Sequence, residues 1–525
     1  MIRAASFAAL ALLASLVAAC GGGTASGEAD PASAVPADAP FYLEVVVRPE
    51  GDLREDALDA AGKVLRTDDP SGKISALLDK ALKEDGDAKF DYKKDIEPWL
   101  GERAGGWASA PGNGGGEGED FEGAVIIAIT DQDAAQAAVD KARKENGDKM
   151  TDRSYAGTDY QVDQEGAAVG TTEEFLIAGP EAQFKRTLDT LKDGKPLAES
   201  DRYRDGTDSL ADDRLGHFYV DFKQLLKLGF QSEPNGAEQL RQFEQLVPLE
   251  KVGPVMGSFA ANGDRLALDV TVGVEGSKSL GALGNLATGA STPLLKELPG
   301  DTWGAFGAPK YGESLRLTFD QLAGAFGGAA LETQLRQQYG IDLDDDVLSW
   351  IGDVAFFIRG NSMATLDGGA VIQVTDEAKA ATGFGKLVGL LQSEGNLDAK
   401  PINVDGADAA FAVQDGTTPK PIVLARGSGK VIIAYGAEAA ADALAPSDKL
   451  GDAEVYGQAK DALEGDVEPG LLVSMPAVIA LVDSIGDTDA SWDEAKPYLE
   501  AYDVIALGAG ASKERAKVRI AAGLK

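Results

Sequence analysis

Residues 95–101 read Asp-Ile-Glu-Pro-Trp-Leu-Gly, and residues 346–352 read Asp-Val-Leu-Ser-Trp-Ile-Gly. Both stretches hold an aspartate, a tryptophan and a glycine at the same spacing, with an aliphatic residue before the glycine. Because further matches flank these stretches in the same order, the sequence indicates an internal repeat. We therefore predict two homologous copies of one domain, residues 35–297 and residues 298–525.

The flanking matches run upstream and downstream of the tryptophans. Residues 35–42 read Val-Pro-Ala-Asp-Ala-Pro-Phe-Tyr, and residues 298–305 read Leu-Pro-Gly-Asp-Thr-Trp-Gly-Ala. The sequence Gly-Ala-Val-Ile occurs at residues 123–126 and again at residues 369–372, each time followed shortly by Thr-Asp. A shared order over several such landmarks is difficult to obtain by chance, which favours duplication.

Within a copy, the patterns mix strands and helices. In residues 41–47 the side chains alternate in character and then give way to a β-branched run, which predicts a strand. Residues 52–65 have apolar side chains at helical spacing, which predicts a helix. Asp52 is a candidate N-cap for that helix. Residues 255–272 form two strand patterns around Asn-Gly-Asp, a strong hairpin signal. These patterns predict an α+β fold in which each copy is a largely antiparallel sheet faced by helices.

The N-terminus has the pattern of a secretory signal. A single cation, Arg3, precedes an apolar stretch that is too short for a stable membrane span and ends in small residues before Cys20. Residues 1–20 are therefore predicted to be a signal peptide. Residues 21–34 are rich in Gly, Ala and Ser and are predicted to be a flexible tether.

Two resemblances add to this prediction. Leu-Val-Ala-Ala-Cys at residues 16–20 resembles the lipobox of bacterial lipoproteins, which implies that Cys20 is diacylated and becomes the mature N-terminus. Residues 36–41 and 95–101, with the secretory start, resemble a mostly actinobacterial lipoprotein family catalogued as domain of unknown function 3352. That resemblance implies an envelope location and a shared architecture, and it implies no catalytic residues. The second copy departs from the motif, with Ser349 where Pro98 stands in the first.

The composition excludes several classes of protein. The chain has 86 acidic and 49 basic residues, a formal net charge of −37, so its surface repels nucleic acid. Apolar residues make up 44% of the chain, enough for globular cores. Since Cys20 is the only cysteine, no disulfide can form within the chain.

Catalytic and metal-binding patterns are scarce. His217 is the only histidine, so zinc sites built from Cys and His are excluded, and there is no Gly-x-Ser-x-Gly elbow for a serine nucleophile. We expect His217 to be an ordinary residue at a strand edge. Residues 342–346 hold four aspartates, but residues 91–95 have two lysines at the matching places. The shared pairs of aspartates therefore fit turn and N-cap roles better than a calcium site.

Trp99 and Trp350 are the residues most clearly shared between the copies. Core packing is the favoured interpretation, and a paired surface that contacts a ligand is the alternative. No cofactor and no metal site is predicted.

These observations predict a non-enzymatic binding or scaffold protein of the cell envelope. The lipid on Cys20 would hold it at the outer face of the cytoplasmic membrane, where an envelope protein would be its partner. A carrier or receptor for a small apolar ligand bound between the copies is the alternative, and a carboxylate-dependent envelope hydrolase is a third possibility. An exposed apolar surface would favour the scaffold, a deep apolar cavity the carrier, and two acids facing each other across a groove the hydrolase.

Overall fold

The fold is that of a computed structural model. It describes residues 29–84, 90–110, 122–146, 150–231, 235–246, 252–274, 291–326, 333, 336–393, 398–414, 418–465, 467–486, 490–511 and 515–525. The signal peptide predicted at residues 1–20, including Cys20, and residues 21–28 of the tether lie outside the described part. The chain divides into two compact units, residues 1–275 and residues 276–525.

In the first unit, the described residues include ten strands that form an antiparallel sheet. Their order across the sheet is β4-β5-β6-β7-β3-β2-β1-β8-β9-β10, and every neighbouring pair is antiparallel. The strands are β1 (Phe41–Val46), β2 (Leu100–Ala110), β3 (Glu122–Ile129), β4 (Thr151–Tyr155), β5 (Thr158–Val162), β6 (Ala167–Thr171), β7 (Phe175–Pro180), β8 (Gly216–Val220), β9 (Val252–Asn262) and β10 (Arg265–Val274).

Helices lie against this sheet and enclose two apolar cores, one of which holds Tyr42 and Trp107 and the other Val45 and Trp99. Because Tyr42 and Val45 differ by an odd number of positions along β1, the two cores lie on opposite faces. The described helices of this unit are α1 (Gly51–Leu65), α2 (Pro70–Glu84), α3 (Gln132–Asn146), α4 (Glu181–Asp193), α5 (Asp201–Thr207), α6 (Phe222–Gln231) and α7 (Gly236–Leu246).

In the second unit, ten strands are again described. Their order is β14-β15-β16-β17-β13-β12-β11-β18-β19-β20, and all neighbours are antiparallel. The strands are β11 (Gly304–Ala308), β12 (Ile351–Arg359), β13 (Asp367–Val374), β14 (Asp398–Pro401), β15 (Ala409–Gln414), β16 (Ile422–Gly427), β17 (Lys430–Tyr435), β18 (Pro469–Ser474), β19 (Tyr502–Ala511) and β20 (Arg515–Leu524).

Most of the described helices of the second unit also pack on its sheet. A core around Trp350 and Phe384 lies under one of them. They are α8 (Pro293–Lys296), α9 (Tyr311–Phe326), α10 (Glu377–Ser393), α11 (Ala437–Leu444), α12 (Glu454–Leu463), α13 (Met475–Ile485) and α14 (Ala490–Leu499). In the described part of the chain, no helix is both long and apolar enough to cross a membrane.

Most of the predicted elements are confirmed at their positions. The strand predicted over residues 41–47 is β1, and the hairpin around Asn262 and Gly263 joins β9 to β10. The α+β class with antiparallel sheets is also observed. The predicted cap is wrong by two positions: α1 begins at Gly51 with Glu50 as its N-cap, and Asp52 lies inside the first turn, where its charge favours the helix dipole.

Two predicted boundaries differ from the structure. Residues Pro31–Ala34, assigned above to the tether, form a 3₁₀ turn, and Ala32 and Ala34 are fully buried in the first core. The turn is ordered by Asp30, whose Oδ1 accepts a hydrogen bond of 2.9 Å from the Ala32 amide. The boundary predicted at 297/298 lies inside the second unit, because α8 packs against β11 and β12.

Candidate functional site

One face of the second sheet is apolar across eight neighbouring strands. Antiparallel pairing aligns residues from β16, β17, β13, β12, β11, β18, β19 and β20 into two rows, and side chains that pair laterally point to the same face. The first row is Leu424, Ile433, Ala370, Phe356, Phe306, Leu471, Leu507 and Ile520. The second row is Ile422, Tyr435, Gly368, Ile358, Gly304, Val473, Ile505 and Ala522.

We call these sixteen positions the apolar face. None of them carries a charge, although the chain has a net charge of −37. With strands about 4.8 Å apart, the rows extend about 34 Å across the sheet. Phe306 and Phe356 stack near the middle, with ring centroids 6.1 Å apart.

Much of the apolar face is open to solvent, although Leu424 at one end is 5% exposed and belongs to the core around Trp350. Phe356 and Ile358 are 40% and 44% exposed, and Ile433, Ile505 and Ile520 are also exposed. Among the described residues, thirteen large apolar side chains are exposed in the second unit, against only Leu77 and Phe222 in the first. A contiguous exposed apolar surface of this kind is typical of an interaction site.

The corresponding rows of the first sheet are also uncharged but less exposed. Leu43 pairs laterally with Phe218 and Gly106, and Phe41 pairs with Val220 and Ala108. These residues are half-buried. Helix α1, which packs against β9, and helix α6, which contacts β2 and β9, lie against this sheet. In the second unit, α9 contacts β12, and α13 contacts β18 and β19. The apolar side chains of its sheet are nevertheless more exposed, so the second unit presents the larger apolar surface.

The tryptophans predicted as shared positions are both in cores. Trp99 is 5% exposed and Trp350 is 6% exposed. Each indole Nε1 donates to the carbonyl oxygen four residues earlier, Asp95 at 2.7 Å and Asp346 at 2.8 Å. The structure therefore favours the core interpretation over a ligand-contacting surface.

The aspartates before each tryptophan have turn and capping roles, as the sequence predicts. Asp95 accepts from the Asp91 amide at 2.9 Å and pairs with Lys141 at 2.6 Å. Asp346 accepts from the Asp342 amide at 2.8 Å and is also paired with a lysine. Hydrogen bonds and a lysine ammonium lower the pKa of both carboxyls against the opposing effect of burial. Within the described chain, no three metal-binding side chains gather as a candidate ion site.

A second feature is a buried polar network in the first unit. His217 is 2% exposed, so the expectation of a strand-edge position is wrong. The reason is that β8 lies inside the sheet, where His217 pairs with Glu44 on β1 and with Ser258 on β9. Its Nδ1 lies 4.0 Å from Glu44 Oε1, and its Nε2 lies 2.7 Å from Tyr203 Oη.

Carboxyl groups and tyrosines complete this network. Tyr42 Oη donates to Glu44 Oε2 at 2.6 Å, and Arg103 Nη1 lies 3.8 Å from Glu44 Oε1. Burial raises the pKa of Glu44, and burial together with the nearby Glu44 raises the pKa of Asp30. Burial and the Arg214 charge lower the pKa of His217 to about 3. The histidine is therefore neutral at physiological pH.

The network has the residue types of a Ser-His-acid triad but a different arrangement. The histidine nitrogen that would activate a serine is occupied by Tyr203, and Glu44, His217 and Ser258 are all buried. A nucleophile needs a base within hydrogen-bond reach and access for the substrate. The arrangement fits a structural network, and sequence reasoning missed it because its members are far apart in the chain.

The first unit also has a polar groove of about 930 Å³ between α1 and the β9–β10 turn. It is lined by both signs of charge, and Lys63 Nζ pairs with Asp264 Oδ1 at 2.8 Å. Because these opposite charges pair with each other, the groove has little net electrostatic potential to attract a charged ligand.

Comparison with known proteins gives a family. A sequence profile described as "Protein of unknown function (DUF3352)" matches residues 2–478. The chain belongs to the DUF3352 family. No curated protein matches it.

Solved structures of TP0453 in crystal forms I, III and IV are similar to part of the chain. They are 11%, 12% and 11% identical and cover 47%, 47% and 48% of this chain and 79%, 81% and 83% of their own. The TM-scores are 0.24, 0.24 and 0.25. Scores this low support no functional comparison with the DUF3352 protein.

Proposed function

We propose that the protein is a non-enzymatic binding protein of the cell envelope and that the apolar face is its binding surface. The observation that carries this proposal is the pair of uncharged rows across eight strands, with Phe356 and Ile358 exposed at their centre. Exposed apolar area has a free-energy cost of about 25 cal/mol per Å², which a bound apolar partner removes. An exposed surface alone would favour a docked envelope protein, but interior strands leave the main-chain groups of a docked polypeptide without partners. A small apolar ligand is therefore the first candidate occupant, and an envelope protein docked on the same face is the second.

We also propose that Cys20 carries a lipid that holds the protein at the outer face of the cytoplasmic membrane. The support is the signal pattern of residues 1–20 and the lipobox-like ending. Two acyl chains anchor a protein stably, whereas one chain does not. A tethered binding protein would meet apolar ligands at the membrane surface, where they are concentrated.

The two units are further proposed to be copies of one ancestral domain. The strand orders β4-β5-β6-β7-β3-β2-β1-β8-β9-β10 and β14-β15-β16-β17-β13-β12-β11-β18-β19-β20 correspond term by term. Trp99 and Trp350 stand before matching strands and make the same hydrogen bond. Independent origins would have to reproduce both the topology and this local bonding.

A hydrolase has less support than a binding role. Glu44, a buried carboxyl group with a raised pKa, lies inside the sheet and is bonded to Tyr42, so no substrate path is apparent from its contacts. Perturbed pKa values occur in structural networks as well as in active sites. The apolar face has no titratable side chain other than Tyr435, so it offers nothing for general acid–base chemistry.

Dye binding tests the proposal. Delipidated full-length protein is titrated with the neutral dye Nile red, and the variant Ile358→Asp is compared with Met363→Asp. Both residues are exposed, but Met363 lies on the turn between β12 and β13, outside the apolar face. We expect dye binding to be about tenfold weaker in Ile358→Asp, since a desolvated charge opposes an apolar ligand.

In that titration, Met363→Asp should bind as the wild type does. Equal binding by wild type and Ile358→Asp, with both folded by circular dichroism, would contradict the assignment of the face. Wild-type protein that binds no dye would contradict the apolar face as a binding surface for apolar ligands.

A further inference from the structure

We infer that the ligand of the apolar face is a hydrocarbon chain of a lipid and that Gly304 forms the floor of its binding site. This inference rests on the proposed function, and it adds the chemical class of the ligand and the position of its binding site on the face. Gly304 lies in β11, between Ile358 of β12 and Val473 of β18. It is a glycine at the centre of a sheet, where β-branched or aromatic residues are usual.

Gly304 is buried between its neighbours, but the position that its side chain would occupy is not filled. A Cβ added there would meet only one atom within 4 Å, the Cβ of Ile358 at 3.7 Å, which is ordinary van der Waals contact. At the neighbouring Gly368, close packing requires glycine, because an added Cβ would lie 2.3 Å from the Phe357 carbonyl oxygen. Glycine in a strand interior weakens the sheet, and an unfilled glycine position often marks the close approach of a ligand.

The walls of this depression are hydrocarbon. Ile358 and Val473 flank Gly304 on the neighbouring strands, and Ile505 follows one strand further. The stacked rings of Phe306 and Phe356 close one end along the strand direction. Strands β12 and β18 are two spacings apart, about 10 Å, which leaves room for one hydrocarbon chain between their side chains.

The chemistry of the site favours hydrocarbon over polypeptide. In interior strands the main-chain groups bond to both neighbours, as β11 does to β12 and β18. The single hydroxyl of the face, on Tyr435, accepts a hydrogen bond from the Lys420 amide. A docked peptide segment would bury polar main-chain groups here with no partners, at a cost of several kcal/mol, whereas an acyl chain has none to satisfy.

The position tolerates a side chain. In the first unit, Phe41 has the matching place, since it pairs with Ala108 and Val220 as Gly304 pairs with Ile358 and Val473. A leucine at residue 304 would therefore fill the depression without opposing the strand. This makes Gly304→Leu a blocking variant that keeps the fold.

The test uses neutral monoacylglycerols of increasing chain length, below their micelle concentration, measured by calorimetry with the delipidated full-length protein. Affinity should rise by up to about fourfold for each added methylene until the site is filled. Gly304→Leu should lower that affinity at least about tenfold, because two or more methylenes lose their contacts. Its melting temperature should be no lower than that of the wild type.

The matched control is Gly510→Leu. Gly510 is a strand glycine of the same sheet with nothing within 4 Å of an added Cβ, and it lies on the opposite face from Ile505 and Leu507. This variant should bind monoacylglycerols as the wild type does.

The outcomes separate the two proposals. Monoacylglycerol binding that is unchanged in Gly304→Leu would overturn the site. Nile red binding at Ile358 without monoacylglycerol binding would overturn the hydrocarbon chain as ligand while leaving the proposed function. Absence of both kinds of binding would overturn the proposed function itself.

Discussion

His217 Nδ1 lies 4.0 Å from Glu44 Oε1 inside the first unit, and the contact joins two neighbouring strands of the sheet. Tyr42, Tyr203, Arg103 and Asp30 surround this pair. In the second unit, Gly307 and Gly470 have the matching places. The network therefore belongs to one unit, and its titration should affect the stability of that unit alone.

The histidine should make the first unit less stable in mild acid. Burial lowers its pKa to about 3 in the folded protein, against an ordinary value of 6.5, so the unfolded chain binds the proton first as pH falls. Stability from this group is complete above pH 6.5 and is lost at about 1.4 kcal/mol per pH unit below it. Glu44 and Asp30 have raised pKa values and act in the opposite direction, because their contribution is present at low pH and is lost as pH rises above their unfolded values.

We predict that His217→Gln reduces the loss of stability between pH 7 and pH 5 by about 2 kcal/mol relative to the wild type. The measurement is urea unfolding of the first unit at both pH values. Because the raised pKa of Glu44 acts in the opposite direction to that of the histidine, Glu44→Gln should not lessen the loss. The interpretation fails if wild type and His217→Gln lose the same free energy.

Each tryptophan should stabilise its own unit. Trp99 and Trp350 are buried, and each donates a hydrogen bond to a main-chain carbonyl. Substitution by alanine leaves a large cavity, so Trp99→Ala and Trp350→Ala should each cost about 3–5 kcal/mol. Calorimetric melting of the full chain measures this. The control is Trp492→Ala, because Trp492 lies on helix α14, which has no buried residue. A comparable loss of stability in Trp492→Ala would contradict the packing argument. So would unchanged stability in Trp99→Ala and Trp350→Ala.

Arg359 should be the most important ion-pairing residue of the second unit. It is 9% exposed and bonds to Asp367 at 2.5 Å and to Asp442 at 2.6 Å. Burial works against its charge, but these carboxylates raise its pKa overall. Because Arg359→Met leaves the buried Asp367 without its closest partner, we expect a loss of about 3–5 kcal/mol in urea unfolding.

The matched variant for that experiment is Arg426→Met. Arg426 pairs with Asp408 and Glu377, whose side chains are exposed. Exposed pairs contribute about 0–1 kcal/mol, so Arg426→Met should change stability little. Equal losses in the two variants would show that burial does not set the strength of these pairs.

Cys20→Ser should release the protein from membranes. The thiol is needed for the thioether of the lipid, and without two acyl chains stable anchoring is lost. Membrane fractionation of cells measures the effect, with Ser26→Ala as a control in the same segment. Unchanged fractionation of Cys20→Ser would contradict the lipid anchor.

Local signals in the sequence predicted much of the fold. The turn residues Asn262 and Gly263 predicted a hairpin. The aspartates before Trp99 and Trp350 were predicted to be turn and capping residues. These predictions succeeded because each depends on residues close together in the chain. The network of Glu44 and His217 could not be predicted in this way, since its members meet only through strand pairing.

The apolar face was missed for a different reason. Residues Ile351–Arg359 have apolar side chains at positions of both parities, which usually indicates a strand buried on both faces. Ala355 and Phe357 are indeed buried, but Phe356 and Ile358 are exposed. Sequence shows that a strand face is apolar, whereas only the placement of helices decides whether that face is covered.

Photo-crosslinking tests the central claim most directly. The full-length delipidated protein is mixed with a monoacylglycerol that carries a diazirine in its acyl chain, irradiated and mapped by peptide mass spectrometry. The apolar face predicts labels on Gly304–Ala308 and Ile351–Arg359, with loss of the label in Gly304→Leu and its retention in Gly510→Leu. Labels confined to segments outside the sixteen positions, or a pattern unchanged by Gly304→Leu, would contradict the account.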